Sequence, residues 1–363
     1  MTVTAGNSMA PHLAGKKVLL TGGTGFVGRH LLPQLLAAGA EVTCLTRAVS
    51  RTGHLPQGVA TAQADLTTGA GLEQALQGKD VVIHMAALLF GLGWQDYLRA
   101  NALVARSMAS ALTRLSADGG LGKDFRFVLV SSLAATGPSG TAPGVNDATP
   151  TAPVSAYGWS KMLTEQVLGR ALGQSLVTLR PPIIYGSGDK GLLPVFKGVQ
   201  KAAIAVSPGA GREFYVSALH ATDMAQAVLC ACKPEARGVY HLSDGEAYTM
   251  SVFCEGMGAA MDNVMGRAPR KVRMVRMPLP VMACTAGLST AFAVVADAVA
   301  NRLLGHGLRR APAWNLDKYR EARQAGWLCD NSRIRAELGF APSVNLEAGM
   351  TEAIEGYRRE GWL

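Results

Sequence analysis

The sequence predicts an α/β protein built on a doubly wound, parallel sheet, with a smaller, discontinuous second unit toward the carboxyl end. Three observations carry this. Lys17–Thr21 is a short apolar run that stops at glycines, and residues 26–38 then place Leu31, Leu32, Leu35 and Leu36 at helical spacing. Apolar runs at Glu41–Thr46, 81–85, 127–130 and 176–179 alternate with helical patterns at Leu72–Leu76, 101–115 and 157–172. Beyond Arg180 the alternation fades, and Pro and Gly become denser. Parallel neighbours need a crossover long enough to hold a helix, and such sheets gather ligands at the carboxyl ends of their strands. The first unit is therefore expected over residues 16–190, joined by the helix-and-strand pattern of 218–245. The second is expected over 191–217 and 246–363, after a loose amino-terminal leader at 1–15.

Composition narrows the function classes. The 363 residues are 48% hydrophobic, 17% charged and 6% aromatic, which excludes disordered, collagen-like and disulfide-scaffold chains. Lys plus Arg is 35 against 26 for Asp plus Glu, a formal charge of +9 that suits a phosphate-bearing cofactor, a nucleotide or an anionic membrane. Nucleic acid is not expected, because the basic residues are dispersed and do not interleave with stacking aromatics. The six cysteines lack the C-x-x-C spacing of zinc or redox sites and read as small buried apolar residues. His84, His241 and His306 show no metal-ligand spacing, so no metal is assigned. The amino-terminal residues lack the basic start and apolar run of a signal peptide, which points to the cytoplasm. Residues 281–296 carry no charge but are shorter than the ~20 apolar residues of a spanning helix. Leu288, Phe292, Val295, Val299 and Leu303 instead predict an amphipathic helix whose stripe packs on a core or an apolar substrate. A membrane-surface role is the lesser expectation, with Arg302, Arg309 and Arg310 following.

Thr21-Gly-Gly-Thr-Gly-Phe-Val-Gly28 sets glycines at 22, 25 and 28 between a strand and a helix. Gly22 permits a tight turn, Gly25 lets backbone approach a pyrophosphate, and Gly28 allows close helix packing, with amides at Thr24, Phe26 and Val27 nearby. Dinucleotide folds usually end the second strand in a carboxylate for the ribose 2′-hydroxyl, but here that place holds Thr46 and Arg47. Arg47, with Arg51 close by, suits a 2′-phosphate and favours NADP(H) over NAD(H); a solvated surface charge is the alternative. Asp65-Leu66 either ends the next strand beside the adenine or forms a plain turn.

Tyr157 and Lys161 stand four apart in a helical pattern, so an ammonium would share a face with a phenol. A nearby cation favours the phenolate and makes a general acid/base. Ser131-Ser132, after the 127–130 strand, offers a hydroxyl. No G-x-S-x-G elbow surrounds these serines, so a hydrolase is not indicated.

With TGGTGFVG, the ADL of residues 64–66, HMAA at 84–87, Ser132, the Tyr157/Lys161 pair and LRPP at 179–182, the chain resembles the extended short-chain dehydrogenase/reductase family, in its epimerase/dehydratase and 3β-hydroxysteroid dehydrogenase-like branch. The resemblance runs from Lys16 to Leu363. It implies a Rossmann-type NAD(P)-binding domain with a carboxyl-terminal substrate-binding domain, and a homodimer. It implies that Ser132 holds the substrate oxygen, that Tyr157 moves the proton, and that Lys161 tunes Tyr157 and holds the nicotinamide ribose. Ala86, Ala87 and Pro181 would flank the cofactor, and Asn101 would support a proton path. Residues 133–138 depart from the dehydratase and sugar-epimerase patterns, and the loop bearing Leu89 and Trp94 suits an apolar substrate. The expected activity is hydride transfer at a secondary alcohol or ketone of a sterol- or isoprenoid-like small molecule. A nucleotide-sugar 4-epimerase, with Arg212 on the diphosphate, is the alternative within the class. A non-catalytic dinucleotide-binding sensor or scaffold is the alternative outside it.

Overall fold

The structure, a computed structural model, describes residues 10–47, 52–208, 213–304 and 311–363. Arg51, Arg212, His306, Arg309 and Arg310 lie outside the described residues.

Six strands, β1 (Lys17–Thr21), β2 (Glu41–Thr46), β3 (Ala60–Gln63), β4 (Val81–His84), β5 (Arg126–Val130) and β6 (Leu176–Arg180), join β7 (Gly238–His241) in one sheet of order 7-6-5-4-1-2-3. Every neighbouring pair is parallel. The order reverses at β1, which lies between β2 and β4, and this switch opens a crevice above the strands' carboxyl ends.

Side-chain alternation along each strand builds the two flanking layers. Val18, Leu20, Ile83, Val128 and Val177 face one side, against Leu31 and Leu35 of helix Phe26–Ala37 and Met224 and Val228 of helix Ala221–Ala231. Leu19, Val82, Phe127 and Leu129 face the other, against Met108 and Leu112 of helix Val104–Ala117 and Leu168 of helix Ala156–Leu172. A third core joins Phe196 and Val199 to Met257, Met261, Met350 and Tyr357 in the carboxyl-terminal unit.

Packing crosses the boundaries read from sequence. Ile334, Leu338 and Phe340 belong to the sheet's core, whereas Tyr185 belongs to the third core. The leader is not loose over its whole length: Ala10 and Leu13 are buried, and His12 Nε2 hydrogen-bonds the Leu229 carbonyl at 3.0 Å. The strand before Asp65 stops at Gln63, because the chain turns there on the Asp65 side chain.

The largest correction concerns the apolar stripe. The helix runs Leu279–Leu304, longer than expected, and its stripe does not pack on a core. Leu288, Phe292, Val295, Val299 and Leu303 are all exposed, as is Cys284 beside them. The periodicity is helical, but the face that packs on the body is the one bearing Met282, Ala286 and Ala300.

His220 and Asp223 are structural residues at the start of helix Ala221–Ala231. Asp223 is buried and accepts hydrogen bonds from Ser343 N at 3.1 Å, Ser343 Oγ at 2.9 Å and Val344 N at 3.0 Å, which ties the carboxyl-terminal segment to the sheet layer. Asp223→Ala should leave three donors without this acceptor and cost about 3 kcal/mol in urea unfolding. A loss near zero would show that the tie is dispensable.

Candidate active site

The glycine turn has the geometry a pyrophosphate needs. Gly22 has φ +78°, and a Cβ there would stand 2.9 Å from Ala86 N, so only glycine fits between β1 and the segment after β4. A Cβ at Gly28 would stand 2.1 Å from the Gly23 carbonyl oxygen, so the turn and its helix touch backbone to backbone. Helix Phe26–Ala37 begins at Gly25 with no side chain capping its amides. Those amides and the helix dipole are therefore directed at the crevice, and this cradle fits a dinucleotide. Thr21 Oγ1 fixes the opposite wall: it lies 2.7 Å from His84 Nδ1 and accepts from Ala86 N at 3.2 Å. Burial, and to a lesser extent Lys161, pushes His84 down to about 3, so it is neutral and acts as a spacer.

At the adenosine end, Thr46 is buried at the end of β2 and donates to the Ala62 carbonyl at 3.3 Å, and Arg47 follows it on the surface. Asp65 Oδ1 accepts from Thr67 N at 2.7 Å and Thr68 N at 3.3 Å, which lowers its pKa. Leu66 packs against the adjoining core. The Asp65 carboxylate therefore builds a turn at the end of the cradle, with one oxygen committed to backbone.

Tyr157 and Lys161 lie on helix Ala156–Leu172, which starts at Ser155, an N-cap accepting from Gly158 N at 3.0 Å. Lys161 is buried and its Nζ donates to the Val130 carbonyl at 2.7 Å, at the end of β5. Burial lowers its pKa to about 8, against the opposing effect of Glu165. Burial also raises the Tyr157 phenol, while Lys318 and the Ser132 hydroxyl act to lower it. Ser132 thus meets the phenol, and its Oγ accepts from Ala134 N at 3.1 Å. Pro181 lies behind this serine, its carbonyl accepting from Leu133 N at 2.8 Å.

Asn101 sits in a π-helical turn, Leu98–Leu103. Its Oδ1 accepts from Leu88 N at 2.9 Å and its Nδ2 donates to Ser160 Oγ at 2.9 Å. It clamps the loop carrying Ala86, Ala87 and Leu89 to the tyrosine helix. Leu89 is exposed and does not line the cavity described below, whereas Trp94 does.

Two clusters escaped sequence reading. Under the site, Glu165 receives Arg180 Nη2 at 2.6 Å, Arg180 Nε at 3.1 Å and the Ser131 hydroxyl, and Arg180 Nη1 also donates to Thr136 Oγ1 at 3.0 Å. The i, i+4 spacing of Lys161 and Glu165 was its one sequence signal. Above the site lies helix Leu316–Ala322. Asp317 accepts from Ala156 N at 2.6 Å and Tyr157 N at 3.2 Å, a cap supplied from far along the chain. Lys318 Nζ stands 4.7 Å from the centroid of the Tyr157 ring and 2.8 Å from Glu321 Oε2. Burial opposes the Lys318 charge, but Glu321 and its neighbours outweigh it and raise its pKa. Lys318, and not Lys161, is the cation over the tyrosine ring, and nothing in the local sequence announces it.

Against the first turn of the tyrosine helix, at Ser155 and Ala156, a cavity of about 460 Å³ is lined by Leu92, Trp94, Tyr97, Val154, Trp159 and Leu316, with Asp317, Arg320 and Thr290 as polar lining; Tyr157 and Ser132 are not in its wall. The volume is that of small-molecule sites.

Residues 18–242 match the NAD dependent epimerase/dehydratase family, which is more than half of the chain. The chain belongs to this family. It is an extended short-chain dehydrogenase/reductase and an NAD(P)-dependent enzyme. It is 31% identical over 353 residues to the ceramide reductase of Caulobacter vibrioides, covering 95% of this chain and 96% of that one. It is 27% identical to the decarboxylating sterol-4-alpha-carboxylate 3-dehydrogenase of Dictyostelium discoideum, over 66% of this chain and 74% of that one. A UDP-glucose 4-epimerase of Azospirillum brasilense is 32% identical, over 49% and 52% of the two chains. Among solved structures, Bordetella bronchiseptica WbmG in complex with NAD and UDP superposes with TM-score 0.68 at 19% identity, covering 96% of this chain and 97% of that one, a likeness of fold.

The Lys161 value sets a pH dependence. Its charge is present below about 8 and is lost as the pH rises through that point. In the reductive direction, kcat/KM is expected to descend through the same range; a profile flat well beyond it would detach Lys161 from the protonation that matters.

Proposed function

We propose that this enzyme transfers hydride between NADP(H) and a ketone or secondary alcohol on an apolar, lipid-like substrate. The observation that carries the reading is the apolar wall of the cavity at the first turn of the tyrosine helix, one residue from Tyr157, made by Leu92, Trp94, Val154, Trp159 and Leu316. The relatives named for a ceramide and a sterol support the same substrate class.

A bound nicotinamide dinucleotide supplies or accepts the hydride. The chain's own residues do the rest. Ser132 holds the substrate oxygen beside the phenol. Tyr157, kept protonated by burial, donates to that oxygen as the carbonyl is reduced. Lys318, over the ring, stabilises the phenolate that remains, and Lys161 adds positive charge from below while it is protonated. Asn101 keeps the wall of the nicotinamide end in place.

The preference for NADP(H) follows from Arg47 at the end of β2, where dinucleotide folds that take NAD place a carboxylate. Arg47→Ala should weaken NADPH binding by about 1.5–3 kcal/mol and spare NADH, which isothermal titration of both cofactors reads directly. Equal weakening of the two would reject the 2′-phosphate contact.

The activity itself is tested by thermal-shift titration with each dinucleotide, alone and then with long-chain ketones or with UDP-sugars. A shift with NADPH that grows with a long-chain ketone supports the reading. Growth with a UDP-sugar instead replaces it by 4-epimerisation. In parallel, Tyr157→Phe should lower turnover on the order of 10²-fold or more with cofactor affinity retained; unchanged turnover would remove Tyr157 from the mechanism.

A further inference from the structure

The helix Leu279–Leu304 presents an apolar face to solvent along its whole length. The most apolar 18-residue stretch within Leu279–Leu303 has a mean hydropathy of 1.8, and only 11% of that stretch is buried. Val281, Leu288, Phe292, Val295, Val299 and Leu303 recur at three- to seven-residue steps along one side, with Leu288 72%, Phe292 77% and Leu303 75% exposed. At 1.5 Å per residue this strip is roughly 33 Å long, and at about 10 Å wide it covers on the order of 300 Å². A patch of that order is the size of the largest on ordinary monomers, and such patches are often functional.

The helix is fastened to the body along one flank of the strip, at Thr285, and on its back. Thr285 Oγ1 accepts from Trp314 Nε1 at 3.1 Å, and Thr290 Oγ1 accepts from Leu316 N at 3.0 Å. Met282, Ala286 and Ala300 are buried beneath. Crossing a bilayer would strip these contacts, whereas lying on its surface keeps them. Exposed Arg273 and Arg276 stand just before the helix and exposed Arg302 at its end, so positive charge brackets the apolar strip. A strip of this area is also well short of the ~800 Å² per partner that a stable dimer buries.

We propose that helix Leu279–Leu304 docks lengthwise on an anionic phospholipid bilayer, its apolar strip sunk to the headgroup boundary and its flanking arginines on the lipid phosphates. Thr290, on the face turned away from the strip, edges the cavity at the first turn of the tyrosine helix, so the docked helix would stand as the wall between that cavity and the lipid. That consequence rests on the substrate reading above; the docking does not.

The test is flotation of the full chain with vesicles of phosphatidylcholine and phosphatidylglycerol, and with vesicles of phosphatidylcholine alone. The protein should float with the mixed vesicles and at least tenfold less with the neutral ones. Leu288→Ser combined with Phe292→Ser should lose flotation at least tenfold with an unchanged melting temperature. Three results would each overturn the proposal: no flotation of the parent chain, equal flotation with both vesicles, or a dimer in sedimentation that the double variant splits while neither form floats. Flotation without turnover of any long-chain ketone would leave the docking in place and remove the substrate reading instead.

Discussion

The buried pair of Glu165 and Arg180 is the interaction on which the site depends. One residue belongs to the tyrosine helix and the other to the end of β6, so their two hydrogen bonds fix the distance between helix and sheet. Ser131, at the end of β5, joins the same carboxylate, and Lys161 lies one helical turn before it. A carboxylate and a guanidinium taken out of water are costly unless each is fully bonded, and here they are bonded to one another and to Ser131 and Thr136. The arrangement therefore specifies one position of the helix rather than a range, and through it one position of Tyr157.

The second fixing point is the first turn of that helix. Asp317 bonds its leading amides while Glu321 bonds Ser155 at 2.7 Å, and the same segment puts Lys318 over the tyrosine ring. Position and electrostatics thus come from one docking event. The acid/base is set from two directions, by the sheet below and by a carboxyl-terminal helix above.

Most of the parallel sheet was legible because its strands are continuous apolar runs and its crossovers keep helical spacing. The glycine turn was legible because backbone proximity leaves only glycine at 22 and 28. Ser132, Tyr157 and Lys161 stood out through spacing along one helix and its preceding strand. What stayed hidden shares a single cause: it depends on contacts between residues far apart in the chain. Lys318 and Asp317 look like ordinary charges on a short helix until the helix is docked. The stripe at 288–303 shows its helical period plainly, but period alone does not say which face packs and which meets solvent. The bonds of Asp65 Oδ1 to Thr67 and Thr68 form a turn, one of the two roles its sequence position offers.

The cap that completes the tyrosine helix has a consequence for how the protein is made. The glycine turn and all seven strands of the main sheet lie within the first 241 residues, whereas Ile334, Leu338 and Phe340, which complete one side of its core, are made later. Asp317 emerges much later, and until then the amides of Ala156 and Tyr157 have no partner from it. The cradle and the proton-transfer end thus both draw on the last stretch of the chain, the one for core side chains and the other for its cap. Synthesis therefore delivers every strand of the main sheet first and the residues that lock both halves of the site last.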